Sequence, residues 1–228
     1  MTGYYWDKYN QTSVGLYLTS IEESFLCNAK YLREQEIFLD IGAGSGRFAI
    51  PLQKKGKKVT LIETDIEAIE AGRRSFRSLK YVCGDAFQKM PELAECGFDC
   101  AFAIQVSSYL RPEDFSALLN EVYRILKPGG HFVFNTINPY SVKSQFKCLL
   151  RFRTGGRSNV SFSNSFVHSL LGRKWRVVDK FGYNNIPFTR ASNSKLVSKF
   201  RGFDNFTGKS TTLSHWILWR IEKLIEVQ

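Results

Sequence analysis

The amino-acid sequence predicts a doubly wound α/β fold built on a parallel sheet. Short apolar segments alternate with helical patterns through the first 138 residues, and a glycine-rich turn follows the first apolar segment. Strands that are joined by crossover helices run parallel, and such sheets carry helices on both faces.

The elements follow in order along the first half. Apolar residues at steps of three and four predict an N-terminal helix through Leu18, Ile21, Phe25, Ala29 and Leu32. The predicted strands then read EIFLDI, KKVTLIE, LKYVCGD, FDCAFAI and HFVFNTI. Helices are predicted between them over 46–55, 66–75 and 113–126, and KPGG ends the last of these.

The second half is less regular. A helix is predicted over 163–171, and two further strands are predicted in KWRVVDKFGY and LSHWILWRIEK. A short helix is expected over 195–200. Residues 141–153 are predicted to form a basic amphipathic helix with Lys143, Lys147 and Arg151 in one row.

Composition limits the class of protein. A chain of 228 residues that is 43% hydrophobic can bury one domain but not two. It shows no signal peptide and no apolar run near the about 20 residues of a membrane span, so we expect a cytoplasmic protein. The five cysteines and three histidines lack metal-ligand spacing, so no metal is expected.

Charge is distributed unevenly. Residues 139–228 hold 16 Lys and Arg against 4 Asp and Glu, a net charge of +12, whereas residues 1–138 have a net charge of −1. This asymmetry predicts an anionic partner, although a solubilising surface is the competing interpretation.

The most informative stretch is the glycine turn over 42–46, which follows the first strand. Glycine permits positive φ and close approach of a ligand to the backbone. Dinucleotide enzymes share this layout, but Arg47 stands where their third glycine would be. Asp40 precedes the turn and suits a ligand with an ammonium group better than a pyrophosphate.

Two further acids end strands at the same predicted edge of the sheet. Glu63 ends the second strand, where a carboxylate can accept hydrogen bonds from both ribose hydroxyls. Asp85 ends the third strand, where it can accept an adenine amino proton. Each acid alone is equally consistent with a helix N-cap or a turn residue. Three acids in register with a glycine turn favour a ligand site.

At these residues the chain resembles the class I S-adenosylmethionine-dependent methyltransferases, in the ubiquinone- and menaquinone-biosynthesis branch. The similar motifs are LDIGAGSGRF, VTLIETD, VCGDAF, FDCAFAIQVSSYL and RILKPGGHFVFN, and they cover roughly residues 36–138. The resemblance implies a Rossmann-like, mostly parallel sheet of seven strands with an antiparallel last strand. It also implies S-adenosyl-L-methionine as the cofactor.

The resemblance implies the site residues as well. Gly42 and Gly44 would contact the methionine part and the ribose, and Asp40 would orient the amino end. Asp85 and Ala86 would contact the adenine. The full predicted cofactor-binding set is Asp40, Gly42, Ala43, Gly44, Glu63, Thr64, Asp85, Ala86 and Gln105.

Catalysis needs few groups, because the sulfonium is already activated and positioning alone can supply about 7–11 kcal/mol. Tyr109 and Ser108, which follow the fourth strand, are weak candidates for a base. His131 is expected to be structural because it lies at the start of the fifth strand. The Asn/Asp-Pro-Pro-Tyr pattern of enzymes that methylate exocyclic base nitrogens is missing.

The predicted function is methyl transfer to an anionic small-molecule or lipid-like acceptor. Two alternatives stay open: an RNA- or protein-directed methyltransferase that docks through the basic half, and a non-catalytic cofactor-binding module. We expect one domain over 1–228. It comprises a helical segment over 1–35, a cofactor-binding core over 36–138, and a basic lid with the last strands over 139–228. The lid is also a possible contact with an anionic membrane surface. The oligomeric state has no signal in the sequence.

Overall fold

The computed structural model describes residues 4–146, 159–197, 208 and 211–225. Within them lies one seven-stranded sheet. Its strands are β1 (Ile37–Ile41), β2 (Lys58–Glu63), β3 (Lys80–Cys83), β4 (Phe98–Ala103), β5 (Leu126–Ile137), β6 (Trp175–Tyr183) and β7 (Trp216–Lys223). The order across the sheet is β3-β2-β1-β4-β5-β7-β6.

The described helices are α1 (Tyr5–Asn10), α2 (Ser13–Leu26), α3 (Ala29–Leu32), α4 (Ala49–Lys54), α5 (Ile66–Ser75), α6 (Ala86–Lys89), α7 (Pro112–Ile125) and α8 (Asn164–Leu171). Two 3₁₀ turns cover Met90–Glu92 and Ser107–Tyr109. None of these helices is long and apolar enough to cross a bilayer.

The direction of the strands confirms the predicted fold. β7 pairs antiparallel with both β5 and β6, and the pairs among β1 to β5 are parallel. The last strand is therefore inserted antiparallel between two strands that run with the rest of the sheet.

The core has two layers, one on each face of the sheet. Alternate residues of a strand point to opposite faces, so Leu39 and Phe132 meet the apolar stripe of α7. Phe38 and Val133, one position along each strand, meet the buried faces of α2 and α4. Because both faces are covered, the central strands are rich in apolar residues on both sides.

The N-terminal helical region differs from the prediction. The single predicted helix ends at Leu26 and restarts as α3, because the side chain of Asn28 accepts a hydrogen bond from the Lys30 N–H and caps a new helix. The sequence also gave no sign of α1. This helix buries none of its residues, so it has no apolar periodicity to detect.

The structure departs from the prediction at KPGG and at the two predicted helices of the second half. KPGG does not separate α7 from the fifth strand, since β5 begins at Leu126 and includes it. Of the predicted basic helix over 141–153, residues 142–146 are helical, Ser141 is a bend before them, and 147–153 lie outside the described residues, as do 198–200 of the other short helix. Lys143 does not belong to a free basic row: its Nζ donates to Asn184 Oδ1 and to the carbonyls of Ile186 and Phe188 at 2.9–3.0 Å.

Candidate functional site

A cavity of about 280 Å³ opens at the carboxyl ends of β1, β2 and β4. This edge is where ligands bind in open α/β sheets. The glycine turn, the residues that follow β4, the N-terminal segment and one arginine beyond β6 form its wall. The described lining residues are Tyr4, Trp6, Asn10, Asp40, Gly42, Ala43, Gly44, Ser45, Arg47, Phe48, Glu63, Ile104, Gln105, Val106, Tyr109 and Arg190.

The glycine turn requires glycine at its first position. Gly42 has φ +69°, and a Cβ there would lie 2.7 Å from Cγ2 of Val106. The N–H groups of Gly42 and Ala43 both donate to the carbonyl of Ile62, at 3.0 and 3.1 Å. The turn is thus fixed to the end of β2 and presents its backbone to the cavity.

Asp40 is a buried acid with an unpartnered oxygen. The residue is 3% exposed, and its Oδ2 accepts no hydrogen bond from any residue that the structure describes. Burial raises the pKa of Asp40 well above its ordinary value, the charge of Glu63 adds to this, and Arg47 opposes it. A cationic group bound in the cavity would satisfy this carboxylate, which fits the ammonium of the predicted cofactor.

Glu63 is held in one orientation at the cavity wall. Its Oε2 accepts a hydrogen bond from the Gly44 N–H at 2.7 Å, and its Oε1 accepts from the N–H groups of Thr64 and Asp65 at 2.8 and 2.9 Å. The carboxylate therefore links the glycine turn to the end of β2.

Three predicted residues lie elsewhere. Thr64, Asp85 and Ala86 are not among the described residues that line the cavity. Asp85 caps α6 instead, because its Oδ1 accepts a hydrogen bond from the Phe87 N–H at 2.9 Å. The contact of Asp85 and Ala86 with an adenine ring and the cofactor contact of Thr64 stay predictions.

Gln105 lies two residues past the end of β4 in a left-handed conformation, with φ +67°. Such a φ is uncommon for a residue other than glycine and persists where the surroundings impose it. The Gln105 N–H donates to Asn135 Oδ1 at 2.6 Å, and its Nε2 donates to Glu22 Oε1 at 2.8 Å.

Glu22 is the centre of a buried polar cluster beside the cavity. Its side chain is fully buried, and it receives Arg47 at 2.8 Å and Arg190 at 3.1 Å. Burial acts to raise the pKa of Glu22, but Arg190, Arg47 and the hydrogen bonds from Gln105 and Tyr183 outweigh it and lower this pKa. One carboxylate faces two guanidinium groups, so the cluster has a net charge of +1.

The sequence interpretation missed Glu22 and Arg190, although one signal for Glu22 was present. Leu18, Glu22 and Phe25 share the buried face of α2, so an acid occupies a core position of an amphipathic helix. Buried acids are paired. The sequence around Arg190 gave no comparable signal, because Arg190 and Glu22 are 168 residues apart in the sequence.

The N-terminal segment covers the cavity. Ser45 Oγ donates to Asp7 Oδ1 at 2.6 Å, and Arg190 Nη1 donates to Asn10 Oδ1 at 2.9 Å. The ring of Tyr4 lies 3.5 Å from the position that a Cβ of Gly44 would take. These contacts join α1 to both the glycine turn and the segment after β6.

The predicted base candidates differ in position. Tyr109 lines the cavity and is 65% exposed, and partial burial raises its pKa. Ser108 is buried and does not belong to the described lining, and the neighbouring Ser107 Oγ donates to the carbonyl of Asn135. Tyr109 is therefore protonated near neutral pH and suits hydrogen-bond donation better than proton abstraction.

The histidines lie away from the described cavity wall. His131 Nδ1 is 2.7 Å from Gln35 Nε2, and burial, with a contribution from Arg220, lowers its pKa to about 4. His215 Nδ1 contacts the hydroxyl of Ser141 at 3.1 Å. No group of three or more potential metal ligands occurs among the described residues.

Comparison with known proteins identifies the core of the chain. Residues 39–134 match a family model described as a methyltransferase domain. The matched residues include most of β1, all of β2, β3 and β4, and most of β5, together with the glycine turn, Asp40, Glu63 and Gln105.

Curated relatives cover the same region. A malonyl-(acyl-carrier protein) O-methyltransferase of Serratia marcescens is 30% identical over 102 residues, which are 45% of this chain and 38% of the relative. A fatty-acid O-methyltransferase of Mycolicibacterium smegmatis is 30% identical over 137 residues, 58% of this chain and 46% of the relative. The chain thus aligns with less than half the length of either relative.

A solved structure shows the same architecture. Magnesium protoporphyrin IX methyltransferase from Synechocystis PCC 6803, with bound SAH (S-adenosylhomocysteine), superimposes with a TM-score of 0.69 at 10% identity. The alignment covers 96% of this chain and 92% of that one. This likeness confirms the predicted fold, and the match over residues 39–134 is to a methyltransferase domain.

Proposed function

We propose that the protein transfers the methyl group of S-adenosylmethionine to a small-molecule or lipid-like acceptor that carries an anionic group. One observation supports the anionic group most directly: Arg47 and Arg190 both line the cavity and share Glu22 as their carboxylate partner. The excess positive charge lies in a largely buried wall, where it attracts an anion more strongly than in water.

The cavity residues suit the cofactor. When bound, S-adenosylmethionine supplies an activated methyl group on a sulfonium. Asp40 would accept hydrogen bonds from its ammonium group, and Glu63 would accept them from the ribose hydroxyls. The unpartnered Oδ2 of Asp40 and the close backbone approach at Gly42 support this assignment.

The acceptor would enter past Trp6 and Tyr109, which line the cavity and are 40% and 65% exposed. An aromatic mouth beside Arg190 suits a molecule with both apolar and anionic parts. The names of two relatives, a malonyl-(acyl-carrier protein) and a fatty-acid O-methyltransferase, describe acyl acceptors and support this class.

We further propose a division of labour along the chain. Residues 36–138 bind the cofactor, and residues 139–228 recognise the acceptor and supply any contact with an anionic membrane surface. The position of Arg190 at the cavity and the charge of +12 over 139–228 support this division. The branch assignment to ubiquinone and menaquinone biosynthesis rests on the motifs of residues 36–138 alone.

A labelling experiment tests the acceptor class. Cell extract is fractionated into lipid, RNA, protein and small-molecule pools, and each is incubated with the protein and methyl-labelled cofactor. We expect label in an acidic lipid or small-molecule fraction. Arg190→Gln should lower its rate, and Arg173→Gln, an exposed arginine of the same half, should not. Label confined to RNA or protein supports the docking alternative, and no label in any pool supports a non-catalytic module.

A further inference from the structure

We propose that Glu22 is a positioning residue that fixes the methionine end of the cofactor site. Side chains from four other segments converge on its carboxylate. Their contacts with it are 2.8 to 3.2 Å long, and the residues are Arg47, Gln105, Tyr183 and Arg190. The inference rests on the proposed cofactor role of the adjoining cavity, and it assigns a function to a residue of α2 that does not line that cavity.

A closed ring of hydrogen bonds joins Glu22 to Gln105. The Gln105 N–H donates to Asn135 Oδ1 at 2.6 Å, and Asn135 Nδ2 donates to the Tyr183 hydroxyl at 2.8 Å. That hydroxyl donates to Glu22 Oε1 at 2.8 Å, and Gln105 Nε2 donates to the same oxygen at 2.8 Å. Glu22 and Asn135 are fully buried, and Tyr183 is 1% exposed, so water does not compete for these bonds.

This ring fixes the conformation of Gln105. It holds both the backbone and the side chain of Gln105, which explains how a non-glycine residue keeps φ +67° at the end of β4. Gln105 lines the cavity together with Asp40 and the glycine turn. The ring therefore sets the shape of the wall where the amino-acid part of the cofactor would lie.

Glu22 also balances the charge of this wall. Arg47 and Arg190 both line it and would repel each other without a shared carboxylate. By binding both, Glu22 holds Arg47 in the wall that contains Asp40. Asp40 for the ammonium and Arg47 for the carboxylate match the zwitterionic end of methionine, and Arg190 remains for the acceptor.

The test compares two ligands that differ in the amino-acid part. S-adenosylhomocysteine contains the amino-acid part, and 5′-methylthioadenosine lacks it. Calorimetry would measure both with the wild-type protein, Glu22→Gln and Tyr183→Phe. Tyr183→Phe keeps the buried carboxylate and so tests the ring if Glu22→Gln does not fold. Tyr123→Phe is the matched control, because its hydroxyl donates to the Leu224 carbonyl at 3.1 Å, away from the ring.

We expect Tyr183→Phe to weaken S-adenosylhomocysteine binding about 3- to 10-fold and Glu22→Gln about 10-fold or more, in line with the usual effect of losing a hydrogen bond to a charged group. Binding of 5′-methylthioadenosine should stay within about twofold, and Tyr123→Phe should change neither. Equal losses for both ligands, or no loss for either, would overturn the positioning role. If the wild-type protein binds neither ligand, the cofactor assignment itself fails, which is a separate result.

Discussion

At the scale of single residues, the proposed site makes the buried carboxyl of Asp40 a link between cofactor binding and the release of a proton. Burial raises its pKa, whereas a bound ammonium group would favour the ionised form. We therefore expect cofactor affinity to rise with pH up to the raised pKa of Asp40 and then to level off. Calorimetry in buffers of different ionisation enthalpy would measure the proton released.

Substitution of Asp40 checks the same link. Asp40→Asn should weaken S-adenosylhomocysteine binding by about 1.5–3 kcal/mol and abolish proton release. Because the folded protein holds the proton of Asp40 more tightly than the unfolded chain, this residue costs stability as pH rises from about 3.9 through its raised pKa. The Asp40→Asn variant should lose this dependence of the free energy of unfolding on pH. Asp114→Asn, at an exposed ion pair, is the control and should retain proton release.

Gly44 offers a test of close ligand approach. It has φ +55°, and Gly44→Val should abolish cofactor binding while the protein stays folded, because a β-branched side chain would occupy ligand space. Gly56 is a matched control: it has φ +81° and open space around its Cβ position. Gly56→Val should suffer similar backbone strain and bind the cofactor normally. Equal loss of binding in both would show that strain, not contact, is responsible.

The site residues that the sequence predicted share a position in the fold, which explains why they could be found. Asp40, Glu63 and Gln105 lie at or just past the carboxyl ends of parallel strands, and strand order alone brings such positions to one edge of the sheet. Glu22, Tyr183 and Arg190 meet only through tertiary packing. Their hydrogen bonds span 161 and 168 residues, and no local pattern of polarity or period reports such a contact.

At the scale of elements, the end of α2 depends on a residue of β7. Arg220 is fully buried, and its Nη2 donates to the carbonyls of Phe25 and Leu26 at 2.8 and 3.0 Å. These are the last residues of α2, whose carbonyls have no partner within the helix. Arg220 thus attaches the helix that carries Glu22 to the sheet.

We expect Arg220→Ala to lower the free energy of unfolding by about 2–4 kcal/mol, because two buried carbonyls lose their donor and a cavity forms, although removal of a buried charge offsets part of the loss. Urea unfolding would measure it. Arg176→Ala breaks an exposed ion pair with Glu222 on the same sheet and should cost at most about 1 kcal/mol. If Arg220→Ala leaves the free energy of unfolding unchanged, α2 is held to the sheet by its apolar face alone.

At the scale of the whole molecule, the basic excess divides into two kinds of charge. Some cations are structural: Lys143 holds the segment over 184–188, and Arg190 binds Glu22. Others, such as Arg173, are exposed. The sequence shows the asymmetry of charge, but it does not separate structural cations from exposed ones. The sequence around a lysine is the same whether its ammonium group contacts water or three oxygen acceptors.

The last prediction concerns the basic positions of the predicted lid. We expect Lys147→Gln combined with Arg151→Gln to leave S-adenosylhomocysteine affinity within about twofold, because every cofactor contact proposed above lies before residue 106. Turnover on the acceptor fraction should fall at low salt and lose part of its salt dependence, since fewer cations attract an anionic acceptor. Lys54→Gln combined with Lys58→Gln removes the same charge from the first half and should leave turnover unchanged. If the lid variant loses cofactor affinity while its circular dichroism stays native, this segment belongs to the cofactor site, and the two halves do not divide the work as proposed.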